Sequence, residues 1–213
     1  MSSTERPEDT AAEEHYFTAD PSVPFERIPV LAEVWGESLS LVSGSGVFAK
    51  GRLDIGTSVL FKEAEPPSLA AGARVLDVGC GYGAIGLAIA RLLPDVEVVG
   101  VDVNERALLL ATENAHALGL ANYRAVLPDA AAAAGEWDEI WSNPPIRIGK
   151  PALHELLLRW LPRLTPEGRA VMVVGKNLGA DSLQRWLGEQ GLPTTRIGSA
   201  KGFRVLEVRR AQG

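Results

Sequence analysis

Apolar and polar residues alternate in "RIPVLAEVW" and again in "SLSLVS", residues 27–35 and 38–43. A period of two marks strands buried on one face, and the intervening "GE" predicts a tight turn between them, hence a β-hairpin. The Gly-rich start of "GVFAKGRLDIGTSVLFKEA" predicts loop. "GTSVLFKEA" then predicts a short helix with Thr57 near its cap. After the linker "PPSLAAG" the pattern changes. "RVLDVG", "VEVVGVD", "YRAVL", "EWDEIWS" and "GRAVMVVG" are short apolar runs that predict buried strands. Between them "GAIGLAIARLL", "NERALLLATENAHALG" and "PALHELLLRWLPRL" carry apolar positions at helical spacing, with Asn104 as an N-cap for the second. "AAAAG" near residue 133 predicts a loop or one helical turn. "ADSLQRWLGEQG" predicts a last helix, and "PTTRIGS" with "FRVLEVRR" a closing hairpin. Strands alternating with helices imply an α/β fold. Its sheet is mostly parallel, covered on both faces, and its seven strands end in an antiparallel pair.

Composition refines this picture at the termini. Residues 1–14 are polar, acidic and poor in aromatics, which predicts a disordered tail. Residues 15–65 form the hairpin and cover segment, and residues 66–213 the main domain. The net charge is −6, but from Arg147 onward twelve Lys or Arg face five acidic residues. That half carries enough positive charge to meet phosphates. The single cysteine, Cys80, excludes an internal disulfide and a Cys-based zinc site, and the three histidines show no metal spacing. The opening "MSSTERPEDTAAEE" lacks the basic and apolar regions of a signal peptide, and no apolar run approaches the ~20 residues of a membrane span. A cytoplasmic location is the expectation.

Two stretches carry chemistry. In "LDVGCGYGAIG", Gly79, Gly81 and Gly83 let the chain turn sharply between strand and helix and approach a ligand closely. The helix behind them offers free N–H groups. Gly81, Gly83 and Gly86 also satisfy G-x-G-x-x-G, so a dinucleotide reading stays open. Asp77, ahead of the first glycine, is badly placed beside a pyrophosphate and suits a cation such as an amino group. Asp102 ends the next strand, where a carboxylate can accept both hydroxyls of a ribose. Acid, glycine loop and second acid together resemble the S-adenosylmethionine site of class I methyltransferases. In that family an acidic residue after the third strand often meets the adenine amino group, here Asp129 in "LPDA".

The second stretch is "WSNPPIRIGK", where Pro144 and Pro145 must end a strand because they have no N–H to give a ladder. Asn143 offers a side-chain amide oxygen and Pro144 a carbonyl without a competing N–H.

"GVFAKGRLDIGTSVLF", "VLDVGCGYGAIGLAIA", "VDVNERALLLATENA", "WSNPPIRIGK" and "VVGKNLGADSLQRWL" follow one another in an order that resembles the methyltransferase small (MTS) domain family. Its best-known members are guanine-N2 methyltransferases of small-subunit ribosomal RNA. The resemblance runs from about His15 to Val208 and implies a Rossmann-like class I methyltransferase with S-adenosylmethionine as cofactor. It implies that Asp77, Gly79, Cys80, Gly81, Gly83, Asp102, Val103, Asp129 and Asn143 hold the cofactor. Asn143, Pro144, Pro145 and Ile146 would hold the acceptor. Larger members carry a second, N-terminal domain for which this chain is too short, and Ile146 stands where those enzymes usually have an aromatic residue. Phe48, Asp54 and Thr57 belong to a segment that folds over the site by the same resemblance. Arg147 and Lys150 are candidate phosphate contacts, and Lys176 is expected to face the site from the end of the fifth strand.

The reading is a methyltransferase acting on an exocyclic amine of RNA, ribosomal RNA or the small subunit being the expected partner. Adenine N6, a protein glutamine amide, NAD-linked oxidation and a non-catalytic RNA-binding module remain as alternatives. The oligomeric state is not read from the sequence.

Overall fold

The computed structural model describes residues 26–45, 51–145 and 149–211. The expected tail at 1–14, Phe48, Ile146 and Arg147 lie outside these residues.

The chain begins with the hairpin of β1 (Arg27–Val34) and β2 (Glu37–Gly44), paired in antiparallel register from Arg27↔Gly44 to Val34↔Glu37. The turn centres on Trp35 and Gly36, one residue earlier than the pattern predicts, with φ of 51° and 86°. Left-handed φ at both positions matches the twist of a two-residue hairpin. Trp35 accepts the strain of such a φ because its indole is anchored. Its Nε1 donates to the Phe61 carbonyl at 3.1 Å, and its ring meets Phe61 and Trp141 edge-on. Val30, Ala32, Val34, Leu39 and Leu41 form the buried face of the hairpin.

Helix α1 (Ile55–Glu63) follows. The cap is Asp54, not the expected Thr57: its Oδ2 accepts from the Thr57 N–H at 3.1 Å. The main sheet is then built from β3 (Arg74–Val78), β4 (Glu97–Val101), β5 (Tyr123–Val126), β6 (Trp137–Ser142), β7 (Leu164–Gly175), β8 (Thr194–Ala200) and β9 (Phe203–Arg209). The intervening helices are α2 (Ala84–Leu92), α3 (Glu105–Ala117), the short α4 (Pro128–Ala132), α5 (Lys150–Trp160) and α6 (Ala180–Glu189). The seven strands lie in the order β5-β4-β3-β6-β7-β9-β8, parallel except for β9, which is antiparallel to both of its neighbours. The expected mostly parallel sheet with a C-terminal antiparallel pair is present.

Strand alternation divides the core into two layers. Val75 packs on one face with the hairpin, α1, α2 and α3, while Leu76 and Val78 pack on the other with α5 and α6. The hairpin is joined to this scaffold through Asn114 of α3, which is 2% exposed. Its Oδ1 accepts from the Val42 N–H at 2.8 Å, and its Nδ2 donates to the carbonyls of Val42 and Tyr82, each at 2.9 Å. Below the sheet centre, Glu139 is buried. It accepts from Trp141 Nε1 at 2.6 Å and pairs with Arg169 at 2.8 Å. Among the described residues no helix is long and apolar enough to cross a membrane.

Candidate active site

β3 and β6 are neighbours, with Val78 opposite Ser142, and the strand order reverses between them. Loops leaving the carboxyl ends of two such strands diverge and open a crevice. Here one loop is the glycine loop and the other is Asn143-Pro144-Pro145. They touch: a methyl group added at Gly79 would lie 3.4 Å from Pro145 Cδ. Ser142 Oγ ties the two strands together by donating to the Val78 carbonyl at 2.7 Å. The crevice has a volume of about 370 Å³, within the range of small-molecule sites.

At one end lie Gly79, Cys80, Gly81, Asp102, Val103 and Pro128. Gly79 and Gly81 have φ of 71° and 55°, and among the described residues nothing stands within 4 Å of a methyl group added at Gly81. Both observations describe a loop shaped for backbone contact with a ligand. Asp102 Oδ2 accepts from the Gly81 N–H at 3.0 Å and Oδ1 from the Asn104 N–H at 2.9 Å. These bonds fix the carboxylate at the rim of the cavity. Burial raises its pKa, and the N–H groups of Asn104, Gly81 and Val103 oppose that shift. A carboxylate so held keeps free lone pairs for ribose hydroxyls.

At the other end lie Asp54, Ile55, Thr57, Asn143, Pro144 and Phe203. Asn143 Nδ2 donates to Asp54 Oδ2 at 2.8 Å and to Thr57 Oγ1 at 3.0 Å. A carboxylate only accepts, so the amide face turned toward Asp54 must be the NH₂. Oδ1 then has no hydrogen-bond donor among the described residues. Tyr82 brings its hydroxyl to the same region, buried and without a hydrogen-bond partner among the described residues, and burial followed by the charge of Asp54 raises its pKa.

Three expected contacts are not in this arrangement. Gly83 caps α2 and does not line the cavity; a methyl group added there would meet Leu87 and Ala111. Asp77 does not line the cavity. Alternation along β3 turns it to the same face as Val75, beneath α2, where it is fully buried. Its Oδ2 accepts from the Gly86 N–H at 2.8 Å, so it braces the first turn of α2 from below. Burial, with help from Asp102, pushes its pKa up to about 7 against the pull of that N–H. Asp129 also stands away. It lies in the first turn of α4 with its side chain 98% exposed, held by Arg159 at 2.6 Å, and its neighbour Pro128 lines the cavity in its place. Lys150 and Lys176 are exposed. Tyr82 and Phe203 escaped the sequence reading because nothing in their local pattern separates them from core aromatics.

The methyltransferase small domain family matches residues 38–207. The chain belongs to that family, whose members use S-adenosylmethionine as methyl donor. The glycine loop is therefore that of a methyltransferase, not of an NAD enzyme. Its crevice fits such a donor, with an open, positive-φ backbone at one end and a rim carboxylate beside it. The chain is 33% identical over 200 residues to the uncharacterized protein YbxB of Bacillus subtilis, covering 92% of this chain and 98% of that one. It is 35% identical over 176 residues to ribosomal RNA small subunit methyltransferase C of Chromohalobacter salexigens, covering 80% of this chain and 51% of the relative. It thus spans about half the length of the relatives that bear that name. Among solved structures, the Thermus thermophilus 16S rRNA N2 G1207 methyltransferase, determined with AdoMet and guanosine, superposes with a TM-score of 0.67. The identity there is 23%, over 90% of this chain and 52% of that one. The fold is that of a class I methyltransferase, as the sequence resemblance implies.

Proposed function

We propose that this chain transfers a methyl group from S-adenosylmethionine to the exocyclic N2 amine of a guanine in small-subunit ribosomal RNA. The observation that carries the reading is the fixed amide of Asn143. Its NH₂ is committed to Asp54 and Thr57, which leaves Oδ1 as an acceptor beside the glycine loop. The names of the Chromohalobacter relative and of the Thermus structure support ribosomal RNA as the acceptor.

Gly79, Gly81, Asp102 and Val103 would hold the cofactor, which supplies a methyl group already activated on a sulfonium. An exocyclic amine gives its lone pair to the ring and is a poor nucleophile. Asn143 Oδ1 and the Pro144 carbonyl accept from its two N–H groups. They orient the nitrogen lone pair and stabilise positive charge developing there. Such preorganised groups are worth roughly 2.7–4 kcal/mol where they have been removed singly. The nitrogen that gains the methyl becomes acidic and loses a proton to water, so no strong base is needed.

The test is transfer of tritium from labelled S-adenosylmethionine to small-subunit RNA or particles, with the nucleoside product identified by mass. N2-methylguanosine is expected. Asn143→Ala should lower transfer at least about 100-fold, with the affinity for S-adenosylmethionine within about threefold of wild type. Label in protein, or in another nucleoside, would overturn the acceptor. Equal loss of cofactor binding would make Asn143 structural.

A further inference from the structure

The acceptor end of the crevice has a wall contributed by the C-terminal hairpin. β9 is antiparallel to β7, so its first residue, Phe203, pairs with Gly175 at the carboxyl end of β7, beside the crevice. The ring and the amide border the same spot: a methyl group added at Gly56 would lie 3.1 Å from Phe203 Cε1, 3.3 Å from Asn143 Nδ2 and 2.9 Å from Asp54 Oδ2. All three groups converge on one point. Of the other aromatic residues lining the crevice among the described residues, Tyr82 and Trp160 are only 4% and 1% exposed, whereas Phe203 is half-buried. Its partly open ring is therefore available to a planar ligand. Ile55, 47% exposed, lines the same end.

We propose that Phe203 is the surface on which the acceptor base stacks, with Lys176 and Lys201 taking the neighbouring phosphates; this rests on the reading of the site as a base methyltransferase. A heteroaromatic base whose amine is held by Asn143 needs a flat apolar neighbour to fix the plane of its ring. Phe203 supplies that neighbour from a strand, a rigid element, although the Asn-Pro-Pro loop carries Ile146 where an aromatic would stand. The two lysines favour a nucleic acid over a neutral protein side chain. Lys176 follows β7, and its N–H donates to the Gly202 carbonyl at 2.7 Å, which sets it beside the β8–β9 turn. Lys201 sits in that turn with φ of 48°. Both are exposed, and among the described residues neither has an ion-pair partner. Stacking on an aromatic tolerates any base, so Phe203 sets position and affinity, while the amine acceptors set chemistry.

The experiment compares wild type with Phe203→Leu, Phe203→Trp and the double variant Lys176→Ala, Lys201→Ala. Affinity is measured for a single-stranded RNA oligonucleotide carrying 2-aminopurine, whose fluorescence is quenched on stacking. Methyl transfer to small-subunit RNA and S-adenosylmethionine binding by calorimetry are measured in parallel. Phe203→Leu should weaken the oligonucleotide about 10- to 100-fold, abolish the quench and raise KM more than it lowers kcat. Phe203→Trp should keep the quench. The lysine pair should flatten the salt dependence of binding, and no variant should move cofactor affinity. If Phe203→Leu binds RNA like wild type while wild type methylates RNA, the stacking role is wrong and the enzyme reading stands. If wild type methylates no RNA yet Phe203→Leu loses oligonucleotide affinity and quench, the enzyme reading fails and the base platform stands. A wild type that neither binds nor quenches the oligonucleotide overturns the platform.

Discussion

Asn143 Nδ2 stands 2.8 Å from Asp54 Oδ2 across 89 positions of sequence, and that contact fixes which face of the amide is left free. One oxygen, Oδ2, also caps α1 by accepting from the Thr57 N–H, and Asp54→Ser separates these two duties. Serine caps a helix about as well as aspartate, so α1 should keep its cap and the thermal midpoint should move little. The shorter serine side chain does not span the distance to Asn143, and the Thr57 hydroxyl that remains can donate as well as accept, so Asn143 is no longer compelled to present its oxygen. Single-turnover transfer is expected to fall about 10- to 100-fold at unchanged cofactor affinity. A rate within twofold of wild type would show that Asp54 does not orient the amide.

Gly56→Ala gives stability and activity opposite expectations. In a helix alanine is favoured over glycine by about 1 kcal/mol, so helix propensity alone predicts a stabler protein. The added methyl would press on Asp54 Oδ2, Asn143 Nδ2 and the Phe203 ring, all movable side-chain ends. They give way without unfolding the chain, but the amide shifts. The melting temperature should hold or rise while transfer falls at least about 10-fold. Full activity in this variant would mean that the three-way convergence is incidental.

Asp77 makes stability depend on pH in an unusual direction. Its folded pKa of about 7 exceeds the ordinary 3.8, chiefly through burial. The folded protein therefore binds more protons than the unfolded chain between these values, and stability falls with rising pH. The contribution is complete below about pH 4 and is lost as pH passes 7. Asp77→Asn removes the charge while still accepting from Gly86. Urea melts should show wild type losing ground to this variant from pH 5 to pH 7, by on the order of a few kcal/mol, then running parallel above it. A difference independent of pH would place Asp77 as an ordinary ionised carboxylate.

What the sequence made legible was what depends on neighbours along the chain. Strand and helix periods, the glycine loop and the proline-ended strand are local patterns, and each stands where the pattern predicts. Contacts made by tertiary closure were not legible. Asp54 reaches Asn143 only because α1 lies beside the strand ends, and Phe203 borders the same spot only because β9 runs antiparallel. The places of Asp77 and Asp129 were not legible because a strand-end acid looks the same whichever face it takes. Parity along β3 sends Asp77 beneath α2, and the first turn of α4 gives Asp129 to Arg159. The hairpin turn shifted by one residue because the anchored indole of Trp35 outweighs the preference of its backbone.

Asn114 links the N-terminal hairpin to the cofactor loop. Its amide closes a two-way bond with Val42 of β2 and a third with the carbonyl of Tyr82, inside the glycine loop. Asn114→Ala leaves one buried N–H and two carbonyls without that partner. Each unpaired buried group costs about 1–3 kcal/mol, and neighbouring backbone relaxes only in part, so a loss of about 2–4 kcal/mol is expected. The informative result is where the loss falls. If the amide serves only the core, stability drops and cofactor affinity in the remaining folded protein is unchanged. If it couples cover to loop, hydrogen exchange should accelerate across residues 27–44 and at Gly79 to Gly83 together. Cofactor affinity should then fall severalfold, and saturating cofactor should restore protection to the hairpin, because binding and ordering are linked in both directions. Exchange that speeds up in the hairpin alone, with affinity intact, would reduce Asn114 to a strut.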